Sequence, residues 1–170
     1  ASGWVLEAGS ALSGNDNTDA DPEVLVAIGD LSTSIGAADI TEVEMVTTTA
    51  DKSEGFTISV RVRYNEPVDV VTTGGTPTLA VTNSNDGTGS GRGPHSLSYA
   101  SGTGTNELIF SLAIAAANAA TNADDVLSVG AQTIALNSGT MKDASGTASD
   151  AALVISGALG TAAGTVTVTA

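Results

Sequence analysis

Cysteine is absent from this chain of 170 residues, which removes disulfides, thiolate catalysis and cysteine-based zinc centres together. Aromatic residues are only 3%, although hydrophobic residues reach 41%, much of that alanine and valine. A core of such small side chains buries little area per residue and needs nearly every valine, isoleucine and leucine available. Proline occurs 4 times against 20 glycines, which excludes a proline-rich or collagen-like spacer and favours many tight turns. Bases are scarce too: five Lys and Arg face 19 Asp and Glu, for a net charge of −14. Such a surface repels nucleic acid and anionic lipid, and no basic patch offsets it. No apolar run approaches the length that spans a bilayer, and the first residues lack the charged-then-apolar layout of a signal peptide.

What is present is concentrated between Gly55 and Asp150. Phe56, Ile58, Val60, Val62 and Tyr64 fall on every second position, with Thr57, Ser59, Arg61 and Arg63 between them. That period puts one set on a buried face and the other in water, as in a strand, which Pro67 is expected to end or bend. Further motifs follow in order: Glu66-Pro67-Val68, Gly75-Thr76-Pro77-Thr78-Leu79, Tyr99-Ala100-Ser101-Gly102-Thr103-Gly104-Thr105, Leu108-Ile109-Phe110, and Leu136-Asn137-Ser138-Gly139-Thr140-Met141-Lys142-Asp143. Together they resemble the bacterial immunoglobulin-like repeat of large surface adhesins, a type also seen on tailed-phage virions. The resemblance covers about two thirds of the chain and keeps the motif order. It implies an all-β fold, an immunoglobulin-like β-sandwich, in modules that carry, space and stick.

The rest of the chain is read around that core. Residues 24–28, Val-Leu-Val-Ala-Ile, are a short apolar strand, and residues 40–49 alternate loosely as the first sandwich strand. This gives two parts: residues 1–39, an extended N-terminal arm with one short strand, and residues 40–170, the sandwich. Residues 68–71, 78–81, 95–100, 107–114, 126–129, 133–136, 153–155 and 165–169 supply further strands, with 95–100 and 107–114 forming a hairpin. Residues 83–94 read as a glycine-rich loop. The alanine-rich stretch 113–123 has helix propensity, but the resemblance continues it as strand and then loop. Charge is lopsided: residues 1–54 hold eleven acids against Lys52, whereas residues 55–170 hold eight against four bases.

Candidate chemistry is sparse. His95 is the single histidine, follows Gly93-Pro94, and reads as an exposed residue at a strand start; no Gly-x-Ser-x-Gly elbow accompanies it. Gly87 to Gly93 contains four glycines, but Pro94-His95 and a strand follow where a phosphate cradle needs a helix. Asp124, Asp125 and Asp143, with Asp150, are candidate oxygen ligands for a structural calcium ion, and the spacing of Asp16, Asp19 and Asp21 is similar to calcium loops. The complete twelve-residue EF-hand pattern is missing, and solvated turn acids are the competing reading, with Asp143 capping a turn. Glu66 has no partner acid in any predicted pairing. No catalytic residue and no cofactor is therefore assigned.

Partner binding is assigned to the arm. Trp4, Val5 and Leu6 include the single tryptophan, in an acidic setting outside the predicted sandwich, and tryptophan is enriched among residues that anchor interfaces. Val24, Leu25, Val26 and Ile28 join them as candidate contact residues; the competing reading folds the arm back onto its own domain. The expected function is that of a non-enzymatic structural protein on a virion surface, a phage capsid decoration protein. Its arm would dock on the major capsid protein or another shell protein, with self-association as a second mode and with no nucleic-acid or membrane partner. The alternatives are a spacer module of a bacterial adhesin on the cell surface, and a phage tail component.

Overall fold

A computed structural model of the chain describes residues 2–6, 23–28, 36–84, 94–116, 121–144 and 149–170, the first two stretches by backbone alone. The chain divides into two compact units, Ala1–Ile35 and Gly36–Ala170. In the first unit, β1 (Ser2–Leu6) pairs antiparallel with β2 (Glu23–Ile28), so the arm segment holds two described strands rather than one. Asp16, Asp19 and Asp21 lie outside the described residues, as does the glycine stretch 87–93.

The second unit is all-β apart from one short helix among the described residues. Its strands are β3 (Ile40–Met45), β4 (Ala50–Asp51), β5 (Phe56–Val71), β6 (Thr78–Ser84), β7 (His95–Ser101), β8 (Thr105–Ile114), β9 (Val126–Ser128), β10 (Gln132–Thr133), β11 (Thr140–Asp143), β12 (Val154–Ile155) and β13 (Thr165–Thr169). Nine of them form one curled sheet in the order β11-β5-β8-β7-β6-β9-β13-β4, with β3 also on β5. All neighbours are antiparallel except β13 and β4, which are parallel. The helix α1 (Gly157–Ala162) is capped by Ser156, whose Oγ accepts from the Leu159 N–H at 3.2 Å.

β5 is the spine. The residues on its even positions, Ile58 to Val68, are buried and face Leu108, Phe110 and Ile114 of β8. Pro67 does not end the strand. The register with β8 shifts between Arg63 and Val68, and β5 continues to Val71, where its far half takes β11 in place of β3. The expected separate strand at 68–71 is thus the second half of β5, because a proline on a bulged stretch needs no ladder donor. One hydrophobic cluster runs through the curl, from Val43 and Met45 to Val166 and Val168.

Two motif segments meet at the far end of β5. Asn137 and Ser138 adopt positive φ, and Asn137 Nδ2 donates to Thr76 O and Thr78 Oγ1, each at 3.0 Å. A Cβ at Gly75 would lie 1.7 Å from the Asn137 carbonyl oxygen, so only glycine admits this approach. The outer edge of β3 is covered by α1: the Met45 N–H donates to Ala163 O at 2.8 Å. That cover protects an edge that would otherwise invite strand addition.

Candidate functional site

The arm hairpin is defined by its register. Ser2 stands opposite Ile28, Gly3 opposite Ala27, Trp4 opposite Val26, Val5 opposite Val24 and Leu6 opposite Glu23, with an irregularity between Trp4 and Val5. All seven candidate contact residues (Trp4, Val5, Leu6, Val24, Leu25, Val26 and Ile28) therefore belong to one two-stranded ribbon. A two-stranded ribbon by itself is marginal in water. Residues 1–35 hold six acids and no Lys or Arg, while residues 36–170 hold thirteen acids against five bases.

In the second unit, Glu66, His95 and Asp143 are among the polar residues that are buried. Each stands in the inward phase of its strand, Glu66 between Tyr64 and Val68, His95 two before Leu97, Asp143 two after Met141. The exposed reading of His95 is thereby corrected: its ring is only 6% exposed because strand phase, not the preceding Gly-Pro, decides its side. His95 Nε2 lies 3.3 Å from Thr121 Oγ1. Burial holds the ring below its usual 6.5, and the nearby Asp125 charge opposes this only in part.

The calcium candidates do not converge. Asp124 is exposed, at φ 69°, and its N–H donates to Val168 O at 2.8 Å. Asp125 is wholly buried, and its Oδ2 accepts from the Asn122 N–H at 2.6 Å and from Asn83 Nδ2 at 3.0 Å. Asp143 sits on β11 opposite Val68, its N–H donating to Ser149 O at 2.8 Å. Asp150 pairs with Lys142 at 2.8 Å. Among the described residues, no group of three or more carboxylate or imidazole side chains is placed to hold a metal ion. Asp125 is a loop fastener whose carboxylate replaces missing backbone partners.

Two further features belong to the second unit. On the outer face of β3, β5 and β8, Arg61 binds Glu44 and Glu107, and Arg63 binds Glu42 and Glu107, the latter pairs both at 2.6 Å. Arg63 is held above its ordinary value chiefly by its hydrogen bond to Glu107. An open depression of about 460 Å³ is lined by Lys52, Ser53, Asn122, Ala123 and Ala170. Lys52 Nζ is turned to Asn122 Oδ1 at 3.1 Å, and the Ser53 hydroxyl donates to Asp51 at 2.6 Å, holding that carboxyl below its usual range. These groups are engaged in holding loops, with no nucleophile and base set against each other.

Sequence reasoning missed Asn83, Thr121 and Asn122. Asn and Thr in turns are commonplace, and only the three-dimensional proximity of β6 to residues 121–125 distinguishes these. Comparison of the chain with protein-family models, with curated proteins and with solved structures returns no match. The likeness to the immunoglobulin-like adhesin repeat thus rests on the motif residues themselves.

Proposed function

We propose that this chain is a non-enzymatic structural protein of a virion surface, a capsid decoration protein. In this reading an immunoglobulin-like β-sandwich is carried by an arm docked on a shell protein. The observation that supports it most is the division of the chain into a β-rich unit with its own core and a first unit, residues 1–35, that holds an apolar hairpin and whose charged residues are all acidic. A ribbon with Trp4, Val5, Leu6, Val24, Leu25, Val26 and Ile28 gains stability by burial against a neighbour, and its charge asks for a basic rim on that neighbour. Many copies on a lattice would raise the avidity of modest single contacts.

The second reading, a spacer of a cell-surface adhesin, is favoured by the motif order from Glu66 to Asp143. Intact mass and copy number in the native source separate the two. A free 16.6 kDa species in many copies per particle supports the decoration protein. The same peptides inside a much larger surface polypeptide would establish the spacer and remove the docking arm with it.

A further inference from the structure

The sheet turns a corner where β6 leaves β7 and joins β9, and a single titratable ring stands in it. Val81 is the last β6 residue paired to β7, opposite His95. The next residue, Thr82, already pairs with Ser128 of β9. His95 is buried with Leu97 on the inner face, against the wholly buried Thr121. Thr121 belongs to residues 121–125, which are stitched on three sides. Asn83 of β6 and the Asn122 N–H bind the Asp125 carboxylate. The Val168 N–H of β13 donates to Asp125 O at 2.8 Å. Lys52 reaches Asn122 from the turn after β4.

We propose that His95 is an acid-sensitive latch on this corner. Neutral, it seats residues 121–125 against β6 and β7; protonated, it frees them while the centre of β5 and β8 stays paired. A neutral imidazole has one donor and one acceptor nitrogen, and either can serve Thr121. A second proton makes both nitrogens donors and places a full charge where burial excludes water. Among the described residues, Asp125 is the charged group whose field acts on the ring, opposing the effect of burial without cancelling it. β6 carries no titratable side chain, Lys52 lies beyond Asn122, and Glu107 of β8 is held by Arg61 and Arg63 on the outer face. Asp86 and Arg92 lie outside the described residues.

The sign follows from the direction of the shift. The ring's folded value lies below 6.5, so between these two values the opened form binds a proton that the closed form does not. Closure is therefore favoured above 6.5 and is lost as pH falls through that window. Each unit of depression changes the opening equilibrium about tenfold.

Two measurements on the full chain test this. An NMR titration of the His95 ring is expected to give a midpoint below 6.5, the value for a free ring. Amide hydrogen exchange at about pH 7.5 and about pH 5, corrected for intrinsic rates, is expected to show about tenfold more opening per unit of depression. That increase should be confined to residues 82–84 and 121–125, and His95→Gln should abolish it. A ring midpoint at or above 6.5, the same acid opening in His95→Gln, or loosening spread equally over β5 and β8 would overturn the latch. The ring titration needs no variant, so it decides even where His95→Gln fails to fold.

Discussion

Replacing Phe110 with alanine tests how far a core of small side chains depends on its few rings. The ring is wholly buried on β8, with Val60 of β5 and Tyr99 of β7 as its register neighbours. Tyr99 meets it edge-on, with ring centroids 6.0 Å apart and planes at 76°. Truncating a sealed phenylalanine costs about 3–5 kcal/mol. Losing the edge contact adds about 0.5–1.5 kcal/mol. Val60 and Leu108 sit on strands locked by pairing on both sides, so the void cannot close, and the expected cost is about 5 kcal/mol. Domains hold about 5–15 kcal/mol in total, so this variant approaches its unfolding threshold. Its melting point should fall by about 10–20 °C. Urea unfolding followed by circular dichroism measures the loss, with an unchanged slope showing that the native surface is otherwise kept. Phe56→Ala, at the half-buried start of β5, serves as the control and should cost less than half as much. A loss below about 2 kcal/mol for Phe110→Ala, or equal losses for the two rings, would refute the packing argument.

The remaining predictions concern the arm, the outer face and metal. Deleting residues 1–35 should leave the second unit folded, by unchanged near-ultraviolet dichroism from its tyrosines, while, on the decoration-protein proposal, attachment to the particle is lost. Persistent attachment would move the docking surface to the second unit. Arg63→Gln should lower the melting point slightly at low salt, and the difference should vanish at high salt, because these exposed pairs are screened. A difference that survives salt would mark the cluster as desolvated. Chelation of divalent cations should leave the melting point unchanged, since Asp125 is already bound by Asn83 and Asn122; a fall would place calcium among the carboxylates.

Strand phase was the most legible feature of the sequence. The alternation from Phe56 to Tyr64 located β5 and its inner face, and the Ser101–Gly104 turn located the β7–β8 hairpin. The same alternation carried through Glu66, His95 and Asp143 points these inward, but the position of His95 after Gly93-Pro94 at a strand start gave it the wrong side. Burial of a polar residue depends on partners far along the chain, such as Thr121, which lies 26 positions from His95. Helix α1 was not foreseen. Gly157 and Gly160 depress helix propensity, and the segment is helical because it packs on the outer edge of β3 and is capped by Ser156. β4, two residues long, exists only because β13 supplies a parallel partner. Asp124 and Asp125, adjacent in sequence, differ in the same way: one is exposed and the other buried.

The placement of β13 also has a temporal side. It zips between β9 and β4, and Thr169 Oγ1 reaches Ala50 O across 119 positions of chain. A ribosome adding about 5–20 residues per second needs about 6–24 s to cover that separation. Throughout that interval β4 has no partner, and the core lacks Val166 and Val168. Hairpins such as β7–β8 can form as they emerge, but the curl stays open until its late strand arrives. The nascent chain thus waits for seconds with an unfinished edge, a period in which crowding by its own copies is most hazardous.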